Sequence, residues 1–364
     1  MGVYASFSFR ILTNVEAMNA VEALGNIIRH RRATIVVPLK NSSGNFGHEL
    51  YTVPTISGEA IRHGYQLLLV KLAKARGIKV CRLCELGEFV KHGVPNLVNQ
   101  LEPDLYSKLK EDSPLPDKEL AVLETCAVED IGGFLIPEPT QIKRTSRVEV
   151  SYMVPAIEDL KFSLDTQFHV RSAPQSQQAV GRGEYQPQSI YYIESASAVY
   201  TFTVNINLSE IGIVSNCVYK DGDKISIIDC ASKALDPKER IRRIELSIDA
   251  LAELIKNGLI GGHHSSYSPY WQPISAVALI TKPIQTVVYP GHVRDFIKRT
   301  VELAEGNKKL LGELYDYYMV AYVDDKLDPG IDVGNAQRKG NIVEFFMDVK
   351  AKALEWVKAE LGVK

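Results

Sequence analysis

The chain opens on an alternation. Tyr4, Ser6, Ser8 and Arg10 interleave with Ala5, Phe7, Phe9 and Ile11, the period-2 pattern of a strand with one apolar face, and this predicts β-structure over 4–13. Two β-rich runs, 33–39 and 50–56, bracket the polar stretch Asn41-Ser-Ser-Gly-Asn-Phe-Gly-His48 and predict a hairpin over 33–56. The period then changes. Ile61, Tyr65, Leu68, Leu72 and Ala75 fall at helical spacing behind Ser57 as N-cap and Glu59 in the first turn, and Gly77 stops the helix. Residues 85–130 lean to helix but are interrupted by Pro95, Pro103, Pro114 and Pro116, which predicts a small helical lobe inserted over 85–145.

Strand-like runs return at 146–154, 164–171, 190–207 and 211–219, separated by a Gln-, Ser- and Gly-rich stretch, 172–189, that reads as a mobile loop. A second strong helix starts at Asp236-Pro-Lys-Glu239, with Asp as cap, Pro in the first turn and Glu reaching back. Ile241, Ile244, Ile248, Leu251 and Ile255 line one face, Gly258 ends it, and an apolar strand runs from Ile274 to Thr281. Helical patterns fill 294–304, 307–320 and 341–360. With the insertions removed the order is strand, helix, strand, strand, helix, strand, the ferredoxin-like arrangement shared by RNA-recognition motifs. The expected fold is therefore α+β: a modified RNA-recognition-motif core with an inserted β-hairpin, an inserted helical lobe and a helical C-terminal region. Residues 1–84 and 146–290 make the two parts of the core, and 291–364 the C-terminal region.

Composition narrows the class. With 45% hydrophobic and 24% charged residues the chain is ordinary for a globular protein, and no apolar run approaches the ~20 residues of a membrane span. The N-terminus lacks the charged start and apolar core of a signal peptide, and although Met-Gly-x-x-x-Ser loosely fits a myristoylation pattern, a first strand suits it better. The expectation is a cytoplasmic protein without membrane contact. The five cysteines at 81, 84, 126, 217 and 230 form no disulfide framework. Cys81-x-x-Cys84 has the spacing of half a zinc site, but no second Cys-x-x-Cys or His pair follows at finger spacing, so it reads as two buried thiols and no metal is expected. The net charge of −2 hides an asymmetry: residues 1–80 carry +6 and residues 85–130 carry −7. That distribution suits one anionic ligand, and also head-to-tail contact between copies.

The richest chemistry lies in 14–32. Asn14, Asn19 and Asn26 offer donors and acceptors, and Arg29-His30-Arg31-Arg32 offers planar forks for phosphate. Such a set can hold a sugar–phosphate chain without reading bases. The same residues also fit a solvated amphipathic helix with Val15, Met18, Val21 and Leu24 inward, and on the residues alone both readings stay open. Ser57 and Gly58 begin a helix whose N–H groups can bind phosphate or simply be capped, with Arg62 and His63 one turn on. Lys143, Arg144 and Arg147 form a basic patch or a solvated loop; His169 and Arg171 share a strand face; Gly261-Gly262 permits close backbone approach or ends a helix. No Walker, zincin, nucleophile-elbow or dinucleotide motif is present, so no catalytic residue and no cofactor are expected.

Asn14-x-Glu16-x-x-Asn19-x-x-Glu22-x-x-Gly25-Asn26-x-x-x-His30-Arg31 resembles the opening signature of the archaeal CRISPR-associated Cascade backbone proteins, the DevR-type repeat-associated family of subtype I-A. The similarity continues through Val53-Pro-Thr-Ile-Ser-Gly-Glu-Ala-Ile-Arg-His63, Asp130-Ile-Gly-Gly-Phe134, Arg144-Thr-Ser-Arg147, Tyr152-Met-Val-Pro155, Gln167-Phe-His-Val-Arg171 and Gly261-Gly262, within residues 8–281. The resemblance implies a non-catalytic subunit that polymerises as a helical filament on the spacer of a CRISPR guide RNA and presents it to single-stranded target DNA. The hairpin 33–56 would interrupt pairing at intervals, and a small partner subunit of the same superfamily would cap the filament. The competing reading is a metal-independent endoribonuclease that matures guide RNA, using a base from among His30, His63, His169 and His263. A DNA-binding autoregulator, suggested by the family's historical label, lacks any helix-turn-helix pattern.

Overall fold

The computed structural model describes residues 2–40, 46–158, 160–171, 189–221, 224–260 and 268–363. Strand β1 (Tyr4–Glu16) leads into two ribbons, β2 (Ala20–Leu24) with β3 (Ile27–His30), and β4 (Arg32–Lys40) with β5 (Phe46–Pro54). Helix α1 (Gly58–Ala75) follows, then the short α2 (Arg82–Glu85), α3 (Pro95–Leu101), α4 (Pro103–Lys110), α5 (Leu115–Thr125) and α6 (Ala127–Gly132). Strands β6 (Phe134–Ile136), β7 (Ile142–Arg144), β8 (Val148–Val150) and β9 (Val154–Pro155) bring the chain back to β10 (Phe162–Arg171) and the long β11 (Ser189–Asn207). The ribbon β12 (Val218–Asp221) with β13 (Lys224–Ile227) precedes α7 (Pro237–Asn257) and β14 (Tyr270–Lys282). Helix α8 (Phe296–Leu311), β15 (Asp316–Val323), β16 (Gln337–Lys339) and α9 (Ile342–Leu361) follow.

This is an α+β fold on a mixed sheet. β1 lies between β14 and β11, antiparallel to both, while β8, β9 and β10 pair in turn with β11 and β15 extends the sheet beyond β14. The apolar face of β1 meets α1, α7 and α9 in the main core, where Phe7 and Phe9 each stack on Phe346 at 6.1 Å. Ala276, Ala278 and Ile280 of β14 join that core, while Val277 and Leu279 enter a second one under α8 with Phe296, Ile297 and Val301. Burial on both faces explains the uninterrupted apolar run of β14. The polar face of β1 is buried as well: Arg10 Nε donates to Asp328 at 2.9 Å and its Nη1 to the Gly291 carbonyl at 2.8 Å.

The two long helices follow their sequence signals. The Ser57 hydroxyl caps the Ala60 N–H at 3.2 Å, Asp236 caps the Lys238 N–H at 2.9 Å, and Gly258 ends α7 in the left-handed region. Glu239 does not reach back to its cap; it pairs with Arg242 and Arg243. A Cβ on Gly64 would stand 1.9 Å from the Leu259 carbonyl, so glycine lets α1 approach the end of α7. Pro95 and Pro103 start α3 and α4 and Pro116 sits in the first turn of α5, so these prolines initiate helices where a missing N–H costs nothing. Three further expectations fail. The 307–320 helix stops at Leu311 and 316–323 pairs with β14, because Tyr-Tyr-Met-Val-Ala-Tyr-Val has β-branched and aromatic character and no polar stripe. Only the end of 211–219 is strand. Cys217 and Cys230 are joined by a disulfide.

The Lys143–Arg147 patch is a larger correction. Of its three basic residues only Lys143 is exposed. Arg144, fully buried, pairs with Glu119 at 3.0 Å and Asp130 at 2.5 Å, and donates to the Ile213 and Glu210 carbonyls. Arg243 reaches the other Asp130 oxygen at 3.0 Å, and Arg147 pairs with Glu210 at 2.7 Å. Glu119 also accepts from the Ser215 and Asn216 N–H groups, both at 2.9 Å. Gly133, at φ +71°, lies where a Cβ would strike the Arg144 carbonyl at 2.6 Å. Arg144→Met, which leaves Asp130 and Glu119 buried without that partner, should cost about 3–5 kcal/mol in urea unfolding. Burial would raise the Glu119 pKa, but the Arg144 charge and the Asn216 and Ser215 hydrogen bonds outweigh it and hold it below its ordinary value. Its stabilisation is thus present above about pH 4.3 and lost as pH falls through the lower folded value. Acid titration of thermal stability should show Glu119→Gln with a flatter acid limb than the native chain.

Candidate nucleic-acid interface

The Asn14–Arg32 segment is not a helix. β1 runs to Glu16, and β2 and β3 form a hairpin turning at Gly25, whose φ of +61° suits glycine. Buried Glu16 organises its base. One oxygen accepts from Tyr200 at 2.9 Å and meets His30 Nε2 at 2.7 Å; the other accepts from the Met18 N–H at 2.9 Å. His30 Nδ1 faces the Arg31 carbonyl at 2.8 Å. Both ring nitrogens thus face oxygen atoms, an arrangement that favours the doubly protonated ring.

Asn19 welds this hairpin to the start of α1. Its carbonyl accepts from the Arg31 N–H and its Oδ1 from the Ser57 N–H, each at 3.0 Å. Asn19, His30 and Ser57 are therefore buried and committed within the chain, correcting their expected roles as ligand contacts. Asn14, Asn26 and Arg29 are exposed, and Arg31 is half-buried with an Nε that has no hydrogen-bond partner. Arg32 is exposed but held by Glu194 at 2.7 Å.

Beside the α1 N-terminus lies a cleft of about 190 Å³ lined by Glu59, Arg62, His63, Gln66, Phe89, Lys91, Gly132 and Ser146 among others. His63 meets Phe89 edge-on at 5.1 Å, and Lys91 donates to the Gly132 carbonyl at 2.8 Å. Burial lowers the Lys91 pKa, against the raising charge of Glu129. Sequence reasoning missed Lys91, a single lysine in an acidic stretch with no signal of its own. On β10, His169 stacks on Tyr191 at 5.2 Å and Phe168 meets Tyr192 at 5.6 Å. Arg171 is placed only by its pairing with Ser189, and Gly261, Gly262, His263 and the loop 172–188 lie outside the described residues.

Burial pulls the His30 pKa down, but the hydrogen bond and charge of Glu16, with the Arg31 carbonyl and Glu194, hold it above its ordinary value. The stabilisation is complete below about pH 6.5 and lost as pH rises through the higher folded value. Urea midpoints should fall across that alkaline window for the native chain and stay flat for Glu16→Gln.

Residues 7–301 match the family described as "CRISPR-associated negative auto-regulator DevR/Csa2". The chain is 34% identical over 312 residues to CRISPR-associated protein Cas7/Csa2 1 of Saccharolobus solfataricus, covering 85% of this chain and 89% of that protein. It is 31% identical over 335 residues to the CRISPR-associated aCascade subunit Cas7/Csa2 2 of the same organism, covering 90% and 94%. A chain from a solved CRISPR RNA-guided surveillance complex, pre-nicking, aligns at a TM-score of 0.47 and 11% identity over 96% of this chain and 100% of that one. A family match across most of the chain, running through the β1–β3 segment, the α1 turn and the Asp130 clamp, makes this protein a member of the DevR/Csa2 family of CRISPR-associated proteins.

Proposed function

We propose that this chain is a non-catalytic, guide-RNA-binding backbone subunit of a type I-A Cascade complex, several copies of which line the spacer of the guide and leave its bases to pair with target DNA. A relative that is 31% identical bears the name aCascade subunit. The observation that carries the reading is the junction at Asn19, which ties Arg31, at the end of β3, to Ser57, the N-cap of the helix that carries Arg62 into the cleft with Lys91. Cations and amides along such a junction suit a sugar–phosphate track. The core is read as a modified RNA-recognition motif, supported by the antiparallel order β14, β1, β11 and then β8 to β10, with α1 after the first strand and α7 before the last. Its β14 and β15 carry α8 on the face opposite α1 and α7. Stacking bases on that part of the sheet is therefore blocked, and a backbone track at the sheet end is favoured. Exposed apolar side chains on three ribbons, Val36 and Leu50, Phe168 and Val170, and Ile225 and Ile227, suit packing against further copies.

Fluorescence anisotropy on single-stranded RNA across a salt series tests this. Affinity should fall steeply with salt and vary little with sequence. Arg29→Ala with Arg31→Ala should weaken binding about 10-fold or more and reduce the salt slope by roughly 1–2, with the fold intact. A sequence-specific, salt-insensitive affinity contradicts the proposal, as does RNA cleavage in EDTA that is lost in His169→Ala.

A further inference from the structure

Cys81, Cys84 and Cys126 are separated in sequence and meet in the core. Cys81 caps α2, Cys84 lies within it, and Cys126 precedes α6, which is held to the Cys81 side by an Ala127 N–H bond to the Lys79 carbonyl at 3.0 Å. The three sulfurs lie within 4.8 Å of one another, and all three residues are buried. Tetrahedral zinc with bonds of about 2.3 Å sets its sulfurs roughly 3.8 Å apart. The Cys81 sulfur accepts from the Cys84 N–H at 3.4 Å, as a thiolate in a Cys-x-x-Cys turn would.

A fourth donor stands alongside. Cys81, His92 and Glu129 also offer ligand atoms within 4.8 Å of one another, and Glu129 Oε1 is 3.9 Å from the Cys81 sulfur and 4.0 Å from that of Cys84. His92 Nδ1 bonds Glu129 at 2.6 Å, which leaves Nε2 buried with no hydrogen-bond partner. Metal-bound histidines share this pairing of one ring nitrogen on a carboxylate with the other free of hydrogen bonds. Without a cation, the core holds three thiols, a carboxylate and an unsatisfied imidazole nitrogen, a costly set.

We propose that Cys81, Cys84 and Cys126 bind one zinc ion, its fourth position closed from the His92–Glu129 pair. Thiolates select a soft, tetrahedral ion over magnesium or calcium. The backbone at Phe89, Lys91 and His92 has positive φ of 45°, 49° and 54°. An ion at His92 would pin this strained loop, which carries Phe89 and Lys91 to the cleft beside Arg62 and His63. The proposal does not depend on RNA binding.

Elemental analysis of the full chain, purified from zinc-supplemented medium without chelator, should find about one zinc per chain. Replacement by cobalt should give the visible bands and near-ultraviolet thiolate charge transfer of a tetrahedral site. Cys126→Ser and Cys84→Ser should lose the metal, whereas Cys217→Ser, outside the cluster, should keep it. His92→Asn should retain a folded chain with weakened cobalt bands. The proposal is overturned if the native chain takes up neither zinc nor cobalt with thiolate bands, or if Cys126→Ser binds either as the native chain does.

Discussion

The Asp130 carboxylate, shared by two buried arginines, is the interaction on which much of this molecule depends. It joins α6 to β7 through Arg144 and to α7 through Arg243, and it accepts the Gly212 N–H at 3.0 Å from the turn after β11. Glu119 extends the same network into α5. Charges so deeply buried are stable only when fully paired, because desolvation outweighs a partial set of contacts. The network therefore ties the acidic helical insertion to the sheet in one arrangement. The position of α6 then sets Cys126, Glu129 and Gly132, and with them the loop that carries Lys91.

A second buried pair performs the equivalent task at the other end of the sheet. Glu16 and His30 close the β2–β3 hairpin from within, and Asn19 passes that placement on to Ser57. The polar residues of the opening motif thus divide into two kinds. Glu16, Asn19 and His30 build the scaffold, Asn14, Asn26 and Arg29 face outward from it, and Arg31 is half-buried between the two. A motif dense in polar residues reports both tasks at once.

That division explains what could be read from the sequence. The strand at 4–13, the hairpin around 33–56 and helices α1 and α7 were legible, because period and caps are local signals. The β15 strand was not, since Lys308 to Val323 carries a helix end and a strand with no punctuating proline between them and takes its pairing from β14. The burial of Arg144 was equally hidden. Its partners Glu119, Asp130 and the Glu210 carbonyl lie 25, 14 and 66 residues away in the chain, and a basic cluster read alone looks solvated. The cysteine cluster was hidden for the same reason. Cys126 and His92 join Cys81 and Cys84 only through the folding of the inserted helices, at no spacing a motif search recognises.

The central claim is that copies of this chain track RNA backbone side by side. Native mass spectrometry of the protein with single-stranded RNAs of increasing length tests it most directly. The account predicts that the number of chains bound rises in regular steps with RNA length, whatever the base sequence. A single chain bound at every length would contradict it.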